Sequence, residues 1–142
     1  MKNSNKSKLE VIYRESPSVT NEELNSLFAN AWGNGEPTDF DPILEKSLTY
    51  ICGYFSNRLI GFVNVAWDGG IHSFILDTTV HKDFQRHGIG LKLVKRAEIA
   101  ARNRGMRWLH VDFEPHLQEF YNKCGFKNTN AGLINLVKVM DK

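Results

Sequence analysis

The stretch from residue 80 to residue 90 constrains the fold of this chain more than any other. It reads Val-His-Lys-Asp-Phe-Gln-Arg-His-Gly-Ile-Gly: an extended segment passes through a polar turn into two glycines. An amphipathic helix is predicted from there over 91–104. Leu93, Val94, Ala97, Ala100 and Ala101 recur at helical spacing, Lys92, Lys95, Arg96 and Arg102 fall mainly elsewhere, and Gly105 closes the helix as a C-cap. A second strand is predicted over 108–113. A strand, a helix and a strand in that order allow the two strands to lie side by side and parallel, through a right-handed crossover. The junction itself offers donors to an anion. The first N–H groups of a helix lack internal partners, and the helix dipole adds partial positive charge there. Gly88 and Gly90 let a ligand approach the main chain, and Lys82, Arg86 and His87 add cationic groups beside it. A phosphorylated cofactor is the natural occupant.

The remaining elements follow from local signals. Residues 9–13 alternate as a first strand. Thr20 and Glu23 form a capping box for a helix reaching about residue 31, with Leu24, Leu27, Phe28 and Ala31 on its buried face. Gly33, Gly35 and Pro37 mark a loop, and Asp41-Pro42 opens a short helix. Strands are predicted over 49–55, 59–67 and 71–80, separated by turns at 56–58 and 68–70. A helix over 115–124 ends at Gly125, and strands over 126–129 and 132–140 close the chain. The order is β-α-α-β-β-β-α-β-α-β-β.

Composition narrows the class. A chain of 142 residues, 42% hydrophobic and 24% charged, reads as one globular domain over 1–142 with residues 1–8 frayed. A net charge of +2 with scattered basic residues argues against nucleic acid as the partner. No apolar run is long enough to span a bilayer, and the polar start does not read as a signal peptide. Cys52 and Cys124 fall in no metal or redox spacing, which suits a reducing cytoplasm.

Two blocks carry a family resemblance. Gln85-Arg86-His87-Gly88-Ile89-Gly90 stands after a strand ending in Val80, and Phe120-Tyr121-Asn122-Lys123-Cys124-Gly125-Phe126 stands near the end of the last helix. In both motif and order the chain resembles the GNAT superfamily of acyl-CoA-dependent N-acetyltransferases. A lone Gly-x-Gly is a weak signal, but two blocks at family spacing in the expected context are not. The resemblance implies an α/β (α+β) GNAT-like fold: a mixed, mostly antiparallel central sheet with one parallel strand pair and helices on both faces.

It also implies an acyltransferase that moves an acetyl group from acetyl-CoA to a small-molecule or peptide amine, with no metal. The diphosphate of acetyl-CoA would sit on the amides of Arg86, His87, Gly88, Ile89, Gly90 and Leu91, with Gln85 also among the cofactor-binding residues. The pantetheine arm would bond to main chain at Thr78, Thr79 and Val80, and an N–H near Val80 would hold the thioester oxygen as it gains charge. Tyr121 would protonate the departing thiolate, a fitting role for a phenol of pKa about 10. Relatives commonly pair through the last strand or a sheet edge, so a homodimer is compatible with the sequence.

The proton acceptor is open at this level. Alternation along the strand predicted over 108–113 would place His110, Asp112 and Glu114 on one face, as a relay, an acceptor contact or a structural hydrogen-bond set. Three ligands on a straight strand splay apart, so a metal site is disfavoured. Many relatives have Asn where this chain has Glu114 and Ala where it has Leu117; some protein-acetylating relatives have a Glu base near the position of Leu109. The base is then Asp112, Glu114, Asp77 or His110, or water carries the proton. The acceptor pocket is expected near the 31–40 loop and Trp67, where Glu36, Asp39 and Asp41 could attract a cationic amine. A non-catalytic acyl-CoA-binding module uses the same cradle, and a nucleotide-binding regulator lacks the Lys-Ser/Thr or third glycine it would need.

Overall fold

The structure is a computed structural model that describes residues 10–33 and 35–137. The chain forms two compact units, Met1–Val111 and Asp112–Lys142.

The first unit is built on a five-stranded sheet in the order β1-β2-β3-β4-β5. Strands β1 (Ile12–Glu15), β2 (Thr49–Phe55), β3 (Arg58–Trp67) and β4 (His72–Val80) are antiparallel in succession. Strand β5 (Trp108–His110) runs parallel to β4. The β2–β3 hairpin turns on Ser56 and Asn57, both at positive φ (48° and 67°), as a two-residue turn matching the right-handed strand twist requires. Helices α1 (Asn21–Trp32) and α2 (Asp41–Lys46) precede β2, and α3 (Ile89–Asn103) connects β4 to β5.

Helices cover both faces of this sheet, and the two-residue strand period shows how. Phe62 on β3 is fully buried and joins Leu24 and Leu27 of α1, Phe40 and Cys52 in one core cluster. Its ring lies 5.9 Å from Phe28, 6.5 Å from Phe40 and 6.1 Å from Tyr50. The neighbouring Gly61 faces the other way: a Cβ there would meet Leu93 Cδ1 at 3.1 Å and Ile89 Cγ2 at 3.4 Å. A side chain at residue 61 would need the Leu93 methyl group to give way by a few tenths of an ångström, so glycine suits this close approach of α3 to β3. Ile89, Leu93, Val94, Ala97, Ala100 and Ala101 are the buried residues of α3, the stripe read from sequence with Ile89 added. The capping box at the start of α1 is present in full, with Glu23 N–H donating to Thr20 Oγ1 and Thr20 N–H to Glu23 Oε1, each at 3.0 Å.

Strand β4 carries a bulge. Phe62 pairs with Thr79 and Asn64 with Leu76, so β4 spends one residue more than β3 over the same span. Asp77 takes up the excess at φ 60°, a left-handed conformation that Asp tolerates better than most residues. Past the bulge β4 has lost its parallel neighbour. Strand β5 pairs with His72, Ser73 and Phe74 alone, and is shorter than the strand predicted over 108–113.

The second unit holds a 3-10 turn (Pro115–Leu117) and helix α4 (Gln118–Lys123), in place of one helix over 115–124. The strand expected over 126–129 does not form, and residues 132–137 of the expected last strand are irregular. Leu133, Ile134, Leu136 and Val137 are 74–91% exposed. Apolar alternation specifies a strand only where a partner edge accepts it, and none does so here among the described residues. Residues 138–140 of that expected strand lie outside the described residues.

Candidate active site

The path from β4 to α3 is shaped link by link. His81 N–H donates to Ile60 O (2.9 Å), which ends the β3–β4 ladder. The His81 side chain then caps a 3-10 turn (Lys82–Phe84) by accepting from Asp83 N–H. Its Nε2 lies 2.9 Å from Arg58 Nη2, and burial together with that guanidinium pushes the imidazole pKa down, favouring the neutral ring. Gln85 turns inward: its side-chain amide donates to Val80 O at 3.1 Å, closing the loop onto the strand end. Its side chain therefore shapes the loop, while its main chain stays in the segment singled out from sequence.

Arg86 (φ 69°) and Gly88 (φ 77°) are both left-handed, bracketing His87. Alternating handedness of this kind turns successive N–H groups toward one concave side. Gly88 is the N-cap of α3 and carries no side chain to cap it, so no side-chain oxygen occupies the first-turn amides. Those amides belong to Ile89, Gly90 and Leu91, because the helix begins at Ile89, two residues before the predicted start. A Cβ built on Gly88 meets nothing within 4 Å. The space over the cradle is open, and Lys82, Arg86 and His87 stand exposed around it.

Upstream of the cradle lies the β4 edge that β5 leaves uncovered. Thr79 is 1% exposed, and its hydroxyl donates to Asp77 O (2.9 Å) and accepts from Trp32 Nε1–H (3.1 Å). Thr78 Oγ1 is buried with no hydrogen-bond partner among the described residues. A buried hydroxyl left unmatched is costly, and an edge bearing one is suited to receiving a polar group. The Asp77 residue keeps substantial solvent contact, yet the protein packed around its carboxyl desolvates it and raises its pKa.

The other expected groups are placed as follows. His110 ends β5; its Nε2 is 2.8 Å from His72 Nδ1, and its ring stacks on Phe74 at 4.7 Å. Asp112 and Glu114 are exposed and lie beyond the end of β5, so the shared strand face expected for His110, Asp112 and Glu114 does not exist. Glu114 instead precedes Pro115 with the extended backbone that a following proline imposes. In the second unit Tyr121 is 7% exposed, with its ring stacked on Phe113 at 4.8 Å and edge-on to Phe120 and Phe126. Asp39 is committed to structure: its Oδ1 accepts from Asn21 Nδ2 and Asp41 N–H.

Two features of the site escaped the sequence reading. Trp32 stands four residues after Phe28, at the i+8 position of the α1 stripe, so its spacing gives no sign that the ring stays exposed. The bulge had no more signal than an Asp amid β-branched residues. No group of three or more His, Cys, Asp or Glu side chains suited to a metal occurs among the described residues. No helix among them is long and apolar enough to cross a membrane.

Residues 18–126 match the Acetyltransferase (GNAT) family. The chain belongs to that family. A curated relative, described as uncharacterized N-acetyltransferase ycf52 of Porphyra purpurea, is 32% identical over 71 residues, which cover 50% of this chain and 41% of that protein. The chain thus matches less than half of that relative's length. Among solved structures, the GNAT family acetyltransferase SP0256 from Streptococcus pneumoniae TIGR4 superposes with a TM-score of 0.71 at 22% identity, over 90% of this chain and 100% of that one. Aminoglycoside N-acetyltransferase AAC(6')-Iy, solved in complex with CoA, gives 0.75 at 18% identity over 93% and 97%. At such identities the likeness is one of fold: a mixed sheet with one parallel pair and helices on both faces.

Proposed function

We propose that this protein is an N-acetyltransferase that moves an acetyl group from acetyl-CoA to a primary amine by direct attack. The observation that carries the reading is the uncapped start of α3 behind a left-handed Gly88, directly downstream of a β4 edge with no strand beside it. A diphosphate fits the first, an extended amide-bearing arm fits the second, and acetyl-CoA has both in that order. The solved neighbour bound to CoA, and another bound to a bisubstrate analogue described as CoA-S-monomethyl-acetylneamine, support the choice.

When bound, acetyl-CoA supplies an activated acetyl thioester. The amides of residues 86–91, with Arg86 and His87 beside them, hold the diphosphate. Main chain at Thr78, Thr79 and Val80 pairs with the pantetheine arm, and the N–H near Val80 holds the thioester oxygen as charge builds on it. Gln85 keeps the loop closed on Val80. Tyr121 gives its proton to the departing sulfur. Asp77 takes the proton of the bound ammonium, ahead of Asp112 and Glu114, and the free amine then attacks the thioester carbon; Asp77 stands at the bulge beside the open edge, and its raised pKa makes it the better base. Fixed donors and a held acceptor supply most of the rate enhancement.

The test is acetyl-CoA binding by calorimetry followed by thiol release with a panel of primary amines. Binding with amine-dependent release is expected. Absence of binding overturns the reading, and binding without release by any amine assigns the domain to acyl-CoA sensing instead.

A further inference from the structure

Trp32 is the last residue of α1 and is 69% exposed, yet its ring is fixed in place. The indole N–H donates to Thr79 Oγ1 at 3.1 Å, and the Thr79 hydroxyl donates to Asp77 O at 2.9 Å. The ring is therefore tied through one buried hydroxyl to the bulge of β4. Gly33 ends the helix at once, with φ 102° and its N–H on Ala29 O, and a Cβ built on it would meet nothing within 4 Å. Thr79 pairs with Phe62 and Leu76 with Asn64, so both project to the α1 side of the sheet, and Leu76 is 42% exposed. On that side, then, a tethered indole and an exposed leucine flank the bulge that carries Asp77.

An aromatic ring left in water while its N–H is anchored resembles a binding platform more than a core residue. The indole face attracts cations through its quadrupole. The loop that follows, residues 33–41, carries Glu36, Asp39 and Asp41 and no Lys or Arg. A ligand bearing a carboxylate or phosphate would meet no positive partner there.

We infer that the acceptor is a protonated amine carried on an alkyl or aryl body, which lies on the Trp32 ring and Leu76 with its ammonium toward Asp77. This rests on the acetyl-transfer reading and adds to it the substrate class and the residue that selects it. Trp32 contributes to acceptor affinity alone, since its tether ends on the Thr79 hydroxyl and touches neither the Thr79 main chain that would meet the pantetheine arm nor the cradle at residues 86–91.

The experiment is steady-state kinetics of the full chain with acetyl-CoA and four amines: phenethylamine, hexylamine, glucosamine 6-phosphate and glycine. Wild type should favour the first two. In Trp32→Ala, kcat/KM for phenethylamine should fall roughly two- to tenfold through KM, the range that loss of an aromatic ring contact implies. The kcat and the acetyl-CoA Kd should stay level. Trp32→Phe, which keeps a ring, should recover much of the loss. Unchanged kcat/KM in Trp32→Ala, or a wild-type preference for the anionic amines, overturns the inference while acetyl transfer stands. No transfer to any amine by a protein that still binds acetyl-CoA removes the reading beneath it instead.

Discussion

Helix α3 carries a matched pair of glycines that separates ligand binding from backbone strain. Gly88 precedes its first residue at φ 77° and Gly105 follows its C-cap at φ 87°. A Cβ at either position meets nothing within 4 Å. Alanine at either one therefore creates no steric clash, and the cost is that of holding an L-residue in the left-handed region, about 1–2 kcal/mol. For a chain of this size that is a fall in Tm of about 2–8 °C, similar for both variants. The ligand consequences differ. An alanine methyl group at residue 88 stands at the N-cap beside the first-turn amides, while Gly105 sits at the far end of a 15-residue helix. Losing one charge-assisted hydrogen bond costs about 1.5–3 kcal/mol, roughly a ten- to hundredfold rise in Kd. Calorimetric titration with acetyl-CoA, alongside thermal melts, should show Gly88→Ala weakened by that factor and Gly105→Ala unchanged, at matched loss of stability. Equal affinities in the two variants would refute the cradle, because strain alone would then account for everything seen.

Other expectations are narrower. Tyr121→Phe keeps the stack on Phe113 but removes the phenolic proton, so turnover should fall about a hundredfold or more with acetyl-CoA affinity kept; equal turnover makes Tyr121 a packing residue. Asp77→Asn should abolish the acidic limb of the kcat/KM profile, which lies above the usual Asp range because the pKa is raised. The same shift has a stability consequence. A carboxyl whose folded pKa exceeds its unfolded one favours the fold below the unfolded pKa and loses that contribution as pH rises through the folded pKa, so Asp77→Asn should be more stable than wild type at neutral pH, with the gap closing in acid; a pH-independent difference would contradict it. Glu15 shows the reverse: hydrogen bonding from Arg104, at 2.7 Å, holds its pKa down. Glu15→Gln should cost at most about 1 kcal/mol in urea unfolding at pH 7, given a half-exposed pair, and nothing once pH falls through the lowered Glu15 pKa.

Much of this architecture is legible one segment at a time. The capping box at Thr20, the apolar stripe of α3, the turn at Ser56-Asn57 and the cradle glycines all act over a few residues, and each recurs in the structure close to where the sequence places it. The motif at residues 85–90 was legible for the same reason, since a helix start needs only its own backbone to present donors. Elements that require a distant partner were not. The apolar alternation after residue 126 reads as strand, yet a strand exists only when another edge accepts its hydrogen bonds. Asp112 and Glu114 read as one face of a strand that stops at His110, because β4 bends at its bulge and offers β5 no further pairing.

Sequence alone therefore determined α1, α2 and α3, the tight turns, the glycines at the start of α3 and the single crossover that allows one parallel pair. Tertiary structure decided where the β4 edge lies open, that Asp77 stands on it in a left-handed turn, and that Trp32 is tied to it through Thr79. The division has one physical cause. Helix periodicity, capping and turn chemistry are satisfied within a few residues, whereas an open strand edge and a side chain anchored 47 residues away along the chain, as Trp32 is to Thr79, are settled only when the whole sheet has paired.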